Sequence, residues 1–268
     1  MNTWKTNSRL LLSLLFVVVL ASCQKNDSVQ PVQIEDQPIT KNSHGKTFYG
    51  PAVPMGNGVA QAWISEDADG MPVAVGVKLN EKALVNLPSE VETFVLNFPK
   101  QGATDFYTHI LIDWNPQGHE PPGVYDLPHF DFHFYIIPEA DRLMIGPAGA
   151  PEFDIEPDPL YVPADHMKIP GGVPEMGAHW LDMNSPEFNG EVFTRTFIWG
   201  SWDGSFIFWE PMITVDYLLS QPDETIPIPQ PAAYEKDGWY AGDYRVSYST
   251  KPKEYNVSLV NLSFIQGQ

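Results

Sequence analysis

The chain has 268 residues, 43% of them apolar and 13% aromatic, which is enough for a sizeable core. Its 34 acidic residues outnumber 15 basic ones for a formal charge of −19, which disfavours nucleic acid and adsorption to anionic lipid, since both need clustered Lys and Arg. The only cysteine, Cys23, excludes an intrachain disulfide, so the fold must be held by its core and its hydrogen bonds.

The N-terminus reads as a secretory signal. Lys5 and Arg9 precede an apolar run, Leu10 to Leu20, which is shorter than the ~20 residues of a membrane span. It ends in Leu20-Ala21-Ser22-Cys23, which resembles the lipobox of bacterial lipoproteins. That resemblance implies lipidation of Cys23, membrane attachment through the lipid, and a place in the bacterial cell envelope. Gln24, where an aspartate would signal inner-membrane retention, points to the outer membrane. Residues 1–22 are therefore the expected signal peptide. Residues 23–45, polar and aperiodic, are the expected flexible tether. Residues 46–268 are read as a single domain.

The 26 prolines and 20 glycines of the chain, with few stretches of helical period, favour many short strands. Ala62 to Glu66 and Met71 to Leu79 flank the turn pair Asp69-Gly70. Val91 to Phe98, Phe106 to Asp113 and Phe130 to Ile137 read as further strands. Two more hairpins join Val192 to Trp202 with Ser205 to Ile213, and Tyr244 to Ser249 with Tyr255 to Phe264. Short helices are expected at Glu81 to Leu87 and Thr214 to Leu219, and a long loop at Pro147 to Pro174. The fold class is mainly β, an antiparallel barrel or sandwich with one or two short helices.

The densest polar cluster is Pro128-His129-Phe130-Asp131-Phe132-His133-Phe134-Tyr135. On a strand the phenylalanines take one face, the core side. His129, Asp131, His133 and Tyr135 take the other. Two histidines and a carboxylate form a metal-site composition. At ~3.3 Å per residue, His129 and His133 stand ~13 Å apart and cannot share one ion on a regular strand. Either a bulge bends the strand, or there are two sites, or Asp131 joins one histidine with ligands from elsewhere.

Those further ligands are His179, after a Pro/Gly-rich loop, and Glu210, in an apolar strand where an unpaired carboxylate is costly. If Asp203-Gly204 is a two-residue turn, Glu210 faces Phe197 with Arg195 diagonal to it. An ion pair with Arg195 then competes with ligation. His119 and Glu120, in the loop Gly118-His119-Glu120-Pro121-Pro122-Gly123, stand in second rank, Glu120 as a candidate base. His109 reads as a core histidine, and His44 and His166 have no assigned role. Trp114, Trp180, Trp199, Trp202 and Trp209 could line a ligand cavity or simply fill the core. No Gly-x-Ser-x-Gly elbow, phosphate loop or dinucleotide fingerprint is present, and no pair among Asp113, Glu120, Asp131 and Glu210 is selected for glycoside hydrolysis.

The stretches Asp113 to Tyr125, Pro128 to Tyr135, Gly177 to Trp180 and Phe206 to Thr214 resemble a bacterial domain family of unknown function. It occurs in secreted proteins and lipoproteins and includes a sigma-E-regulated protein of Thermus. The resemblance runs from Lys46 to Phe264, with HEPPG and HFDFHFY its specific motifs. It implies a β-rich fold and assigns no reaction. The cluster is also similar to cupin sites, which hold a metal in a β-barrel, but it has no His-x-His, and Glu210 lies too far along the chain.

These readings lead to a cell-envelope lipoprotein whose β domain binds a divalent metal, zinc by default, through His129, Asp131, His133, His179 and Glu210. The alternative is a metal-free module that binds a small ligand or assembles with copies of itself in the envelope stress response.

Overall fold

The computed structural model describes residues 45–102 and 105–268. The signal peptide, Cys23, His44 and all but the last residue of the tether lie outside the described residues. Among those residues no helix is long and apolar enough to cross a membrane.

Alternating apolar positions and frequent turn residues produce thirteen strands. In chain order these are β1 (Lys46–Met55), β2 (Gly58–Glu66), β3 (Pro72–Asn80), β4 (Glu92–Asn97), β5 (His109–Asn115), β6 (His129–Tyr135) and β7 (His166–Lys168). There follow β8 (Ala178–Asp182), β9 (Arg195–Trp202), β10 (Ser205–Thr214), β11 (Asp223–Pro227), β12 (Gly238–Thr250) and β13 (Lys253–Ile265). Among the described residues two short helices, α1 (Glu139–Arg142) and α2 (Val215–Leu219), and four 3-10 turns complete the regular structure. Thr214 starts α2 by accepting the Tyr217 amide at 3.3 Å.

The strands form two antiparallel sheets, ordered β1-β2-β3-β13-β12-β11 and β4-β5-β6-β10-β9-β8-β7. They pack as a sandwich and do not close into a barrel, so the barrel alternative is corrected. Edge strand β1 is irregular. Its register jumps between Tyr49 and Ala52, and Pro51 has no N–H to give a neighbour. The expected helix at Glu81 to Leu87 shortens to a 3-10 turn, Glu81–Leu84. The expected loop at Pro147 to Pro174 contains two 3-10 turns and β7.

Between the sheets, Ile64, Val75, Val77 and Leu259 of the first meet Phe130, Phe132 and Phe134 of the second. Phe197 lies 5.1 Å from Tyr244 and Trp209 lies 5.6 Å from Tyr240, centroid to centroid. The tryptophans fill rather than line. Trp114, Trp180, Trp199 and Trp209 are buried in this core, and the cleft beside Trp199 and Trp209 holds only about 20 Å³. Trp202 packs on Phe153 instead.

The second sheet has a covered outer face as well. Every residue of β5 and β6 is buried, so these strands are covered on both sides. On that outer face polar side chains enter the protein's interior.

Candidate functional site

Strand β6 alternates as its sequence requires. Phe130, Phe132 and Phe134 enter the sandwich core, while His129, Asp131, His133 and Tyr135 face the covered side, and all are buried. The pairing with β5 runs unbroken from His109↔Tyr135 to Asn115↔His129. No bulge therefore bends the strand, and His129 and His133 go to different neighbours. The structure brings together two groups of three: His119, His129 and Asp131, and His133, His179 and Glu210.

In the first group the loop carrying His119 folds back over β6. His119 Nε2 lies 3.3 Å from Asp131 Oδ2, and His129 Nε2 lies 3.2 Å from Asp131 Oδ1. Each ring is fixed from behind. Nδ1 of His129 lies 2.6 Å from the Leu127 carbonyl, and Nδ1 of His119 lies 2.7 Å from the Glu120 carbonyl. A carbonyl only accepts, so each Nδ1 carries a proton and each ring turns its Nε2 toward Asp131. Asn115 donates to Asp131 Oδ2 at 2.7 Å. His129 Nε2 and Asp131 Oδ1 are buried without a hydrogen-bond partner. Burial pushes the Asp131 carboxyl up, but the pull of His119 and His129 overrides it and holds the group below the usual carboxylate range. Burial lowers His119, and Asp131 more than reverses that.

The second group is deeper. His133 Nε2 is 3.5 Å from Glu210 Oε1, and His179 Nε2 is 3.6 Å from Glu210 Oε2. Asp113 Oδ2 stands 3.8 Å from His133 Nδ1, while its other oxygen accepts from Thr93. Glu210 Oε2, both ring nitrogens of His133 and Asp113 Oδ2 are buried and unpartnered. Burial, then the Asp131 and Asp113 charges, pushes Glu210 well above the carboxylate range. Burial and then the His133 charge lower His179 to about 3. Phe208 packs at 5.0 Å from His133 and 5.4 Å from His179. Its ring occupies the space that a side chain at Gly200 would need.

The expected Arg195–Glu210 pair does not form. Asp203 and Gly204 make the turn, with φ of 48° and 78°, but a register shift between Phe206 and Phe208 follows it. Glu210 then faces Ile198 rather than Phe197, and Arg195 pairs with Glu224 at 2.8 Å. A one-residue slip carries a side chain to the other face.

A cavity of about 800 Å³ opens over both groups. Asp113, Asp131, Glu210, His119 and His179 reach it, Glu120 stands exposed at its rim, and His129 and His133 lie beneath. Sequence reasoning did not single out Asp113 and Asn115 as partners of the cluster. Their alternation about Trp114 places them on one face, but only the pairing with β6 shows which residues that face meets. His109 is the expected core histidine, with Arg142 Nε donating to its Nε2 at 3.2 Å. His166 holds the Ala164 carbonyl at 3.1 Å, away from both groups.

Residues 67–114 match the TTHB210-like family model, described as "Hypothetical protein TTHB210", the family to which the HEPPG and HFDFHFY resemblance points. The matched segment runs from the end of β2 to Trp114 and so includes Asp113 but neither three-residue group. No curated protein and no solved structure matches the chain.

Proposed function

We propose that the domain binds divalent metal at two adjacent sites, one held by His119, His129 and Asp131, the other by His133, His179 and Glu210. The observation that carries this reading is the set of buried, unpartnered ligand atoms turned toward one another. Imidazole lone pairs facing carboxylate oxygens in a dry interior repel unless positive charge lies between them. At His133 and Glu210 the 3.5 Å contact is not made as a hydrogen bond, and both ring nitrogens of His133 are left without a partner. An ion fits the spacing. Two ligands ~2.1 Å from a tetrahedral zinc are about 3.4 Å apart, and in each group one donor atom from each of the three residues lies within 4.8 Å of the others, so a small inward movement brings them onto one ion. The carbonyls behind His119 and His129 supply the outer contacts that metal-bound imidazoles require. Zinc is the default for imidazole with carboxylate. Three protein ligands at each site leave a fourth position open toward the cavity.

We read the whole protein as a lipoprotein of the outer membrane, held there by lipid on Cys23. The support is the Leu20-Ala21-Ser22-Cys23 ending and Gln24.

Elemental analysis of chelator-free protein tests the metal reading. The wild type should retain two zinc per chain, His129→Ala and His133→Ala one each, and the double variant none. A folded wild type that neither retains nor takes up metal refutes it.

A further inference from the structure

We infer that the cavity over the two groups receives an apolar organic monoanion, whose single acidic head completes the metal coordination while its apolar body lies against the walls. The inference rests on the metal reading above. Its independent support is the contrast between floor and walls. Pro121, Pro122, Ile169, Val173, Met176 and Leu181 make the walls apolar, whereas Asp113, Asp131 and Glu210 form an acidic floor. Glu210 is 1% exposed and lines this space with its Oε2 unpartnered, and Asp113 lines it with its Oδ2 unpartnered. The lining contains no Lys or Arg.

That lining decides the charge of the occupant. Without metal, the floor offers an anion no partner and repels it. With two divalent ions, four positive charges meet the three buried carboxylates of the floor, and one positive charge remains there; Glu120, the fourth carboxylate of the lining, stands exposed at the rim, where water and salt screen it. A single anionic oxygen group neutralises it and fills an open coordination position. A polyanion would bring unpaired negative charge between apolar walls, and an ammonium would meet the surplus positive charge. The volume of about 800 Å³ lies within the range of ~300–1,000 Å³ for small-molecule sites.

Calorimetric titration of the purified protein with decanoate and with decylamine, each before and after chelation, tests this, with zinc content measured on the same samples. Decanoate should bind the zinc-loaded protein and lose at least about tenfold in affinity on chelation. Val173→Asp, at an exposed wall position, should weaken decanoate by a similar factor and leave zinc content unchanged. Zinc uptake without decanoate binding overturns this inference alone, as does equal binding after chelation or tighter binding of decylamine. Absence of zinc uptake removes the metal reading and this inference with it.

Discussion

Glu210→Gln should stabilise the chelated protein and destabilise the zinc-loaded one relative to wild type. Burial, aided by the Asp131 and Asp113 charges, pushes Glu210 well above its ordinary range, and its Oε2 has no partner. A buried polar group left unsatisfied costs ~1–3 kcal/mol, more when charged. Glutamine has nearly the same shape, keeps an acceptor and cannot ionise, so the chelated variant should gain about that amount at a pH high enough for Glu210 to carry its charge. For a domain of this size, 1 kcal/mol corresponds to ~2–4 °C in Tm. Zinc reverses the order. One site at a hundredfold excess of metal over Kd adds ~2.7 kcal/mol to the wild type, and the variant forfeits this at the second group. Thermal unfolding followed by circular dichroism, with chelator and with zinc, should therefore give curves that exchange places. A variant that is less stable in chelator, yet shows the full zinc-induced shift, would mean that Glu210 is a structural acceptor and that the reasoning fails.

Gly200→Ala puts a methyl group into the space of the Phe208 ring, which packs on His133 and His179. Overpacking of this kind should cost ~1–3 kcal/mol in denaturant unfolding and weaken the second site; unchanged stability would show that Phe208 can move freely. Asn115→Ala removes the 2.7 Å hydrogen bond to Asp131 and should lower metal affinity at the first site by ~10–100-fold, read in a competitive chelator titration. An unaltered affinity would place Asn115 outside the site. Burial and then the Arg142 charge lower His109 to about 4, below the ordinary 6.5. Between these values the unfolded chain binds the proton first, so stability is full above pH 6.5 and falls as pH drops toward 4. Urea midpoints across that window should slope less in His109→Phe; identical slopes would exclude His109 as a source.

The legible part of the site was local. Period-two alternation in HFDFHFY is a property of consecutive residues, so the division of His129, Asp131 and His133 from the phenylalanines followed from the strand assignment alone. The same spacing rules out one ion shared by both histidines on a regular strand, and the unbroken β5–β6 register leaves His129 and His133 in separate residue groups. What stayed hidden depends on contacts between distant segments. The neighbours of Glu210 turn on an extra residue between Phe206 and Phe208, which no turn rule at Asp203-Gly204 contains. Asp113 enters through strand pairing, and His119 through a loop that returns over β6. Strand β1 was hidden for another reason, since its prolines at 51 and 54 mimic a loop signal.

The two groups differ in how they are hung on the fold, and this would separate the exchange rates of ions held there. Every residue of the second comes from a strand of one hydrogen-bonded sheet, whereas the first takes His119 from a loop and leaves 38% of that side chain exposed. Loop openings are frequent, while central strands part only when the domain unfolds. If the groups hold ions, one in the first would leave by a swing of one imidazole, whereas one in the second would leave only through the cavity that His179 and Glu210 line or when its sheet opens. Pulse labelling with an isotopically distinct metal should then show one fast and one slow pool in the same chain, with the fast pool lost in His119→Ala.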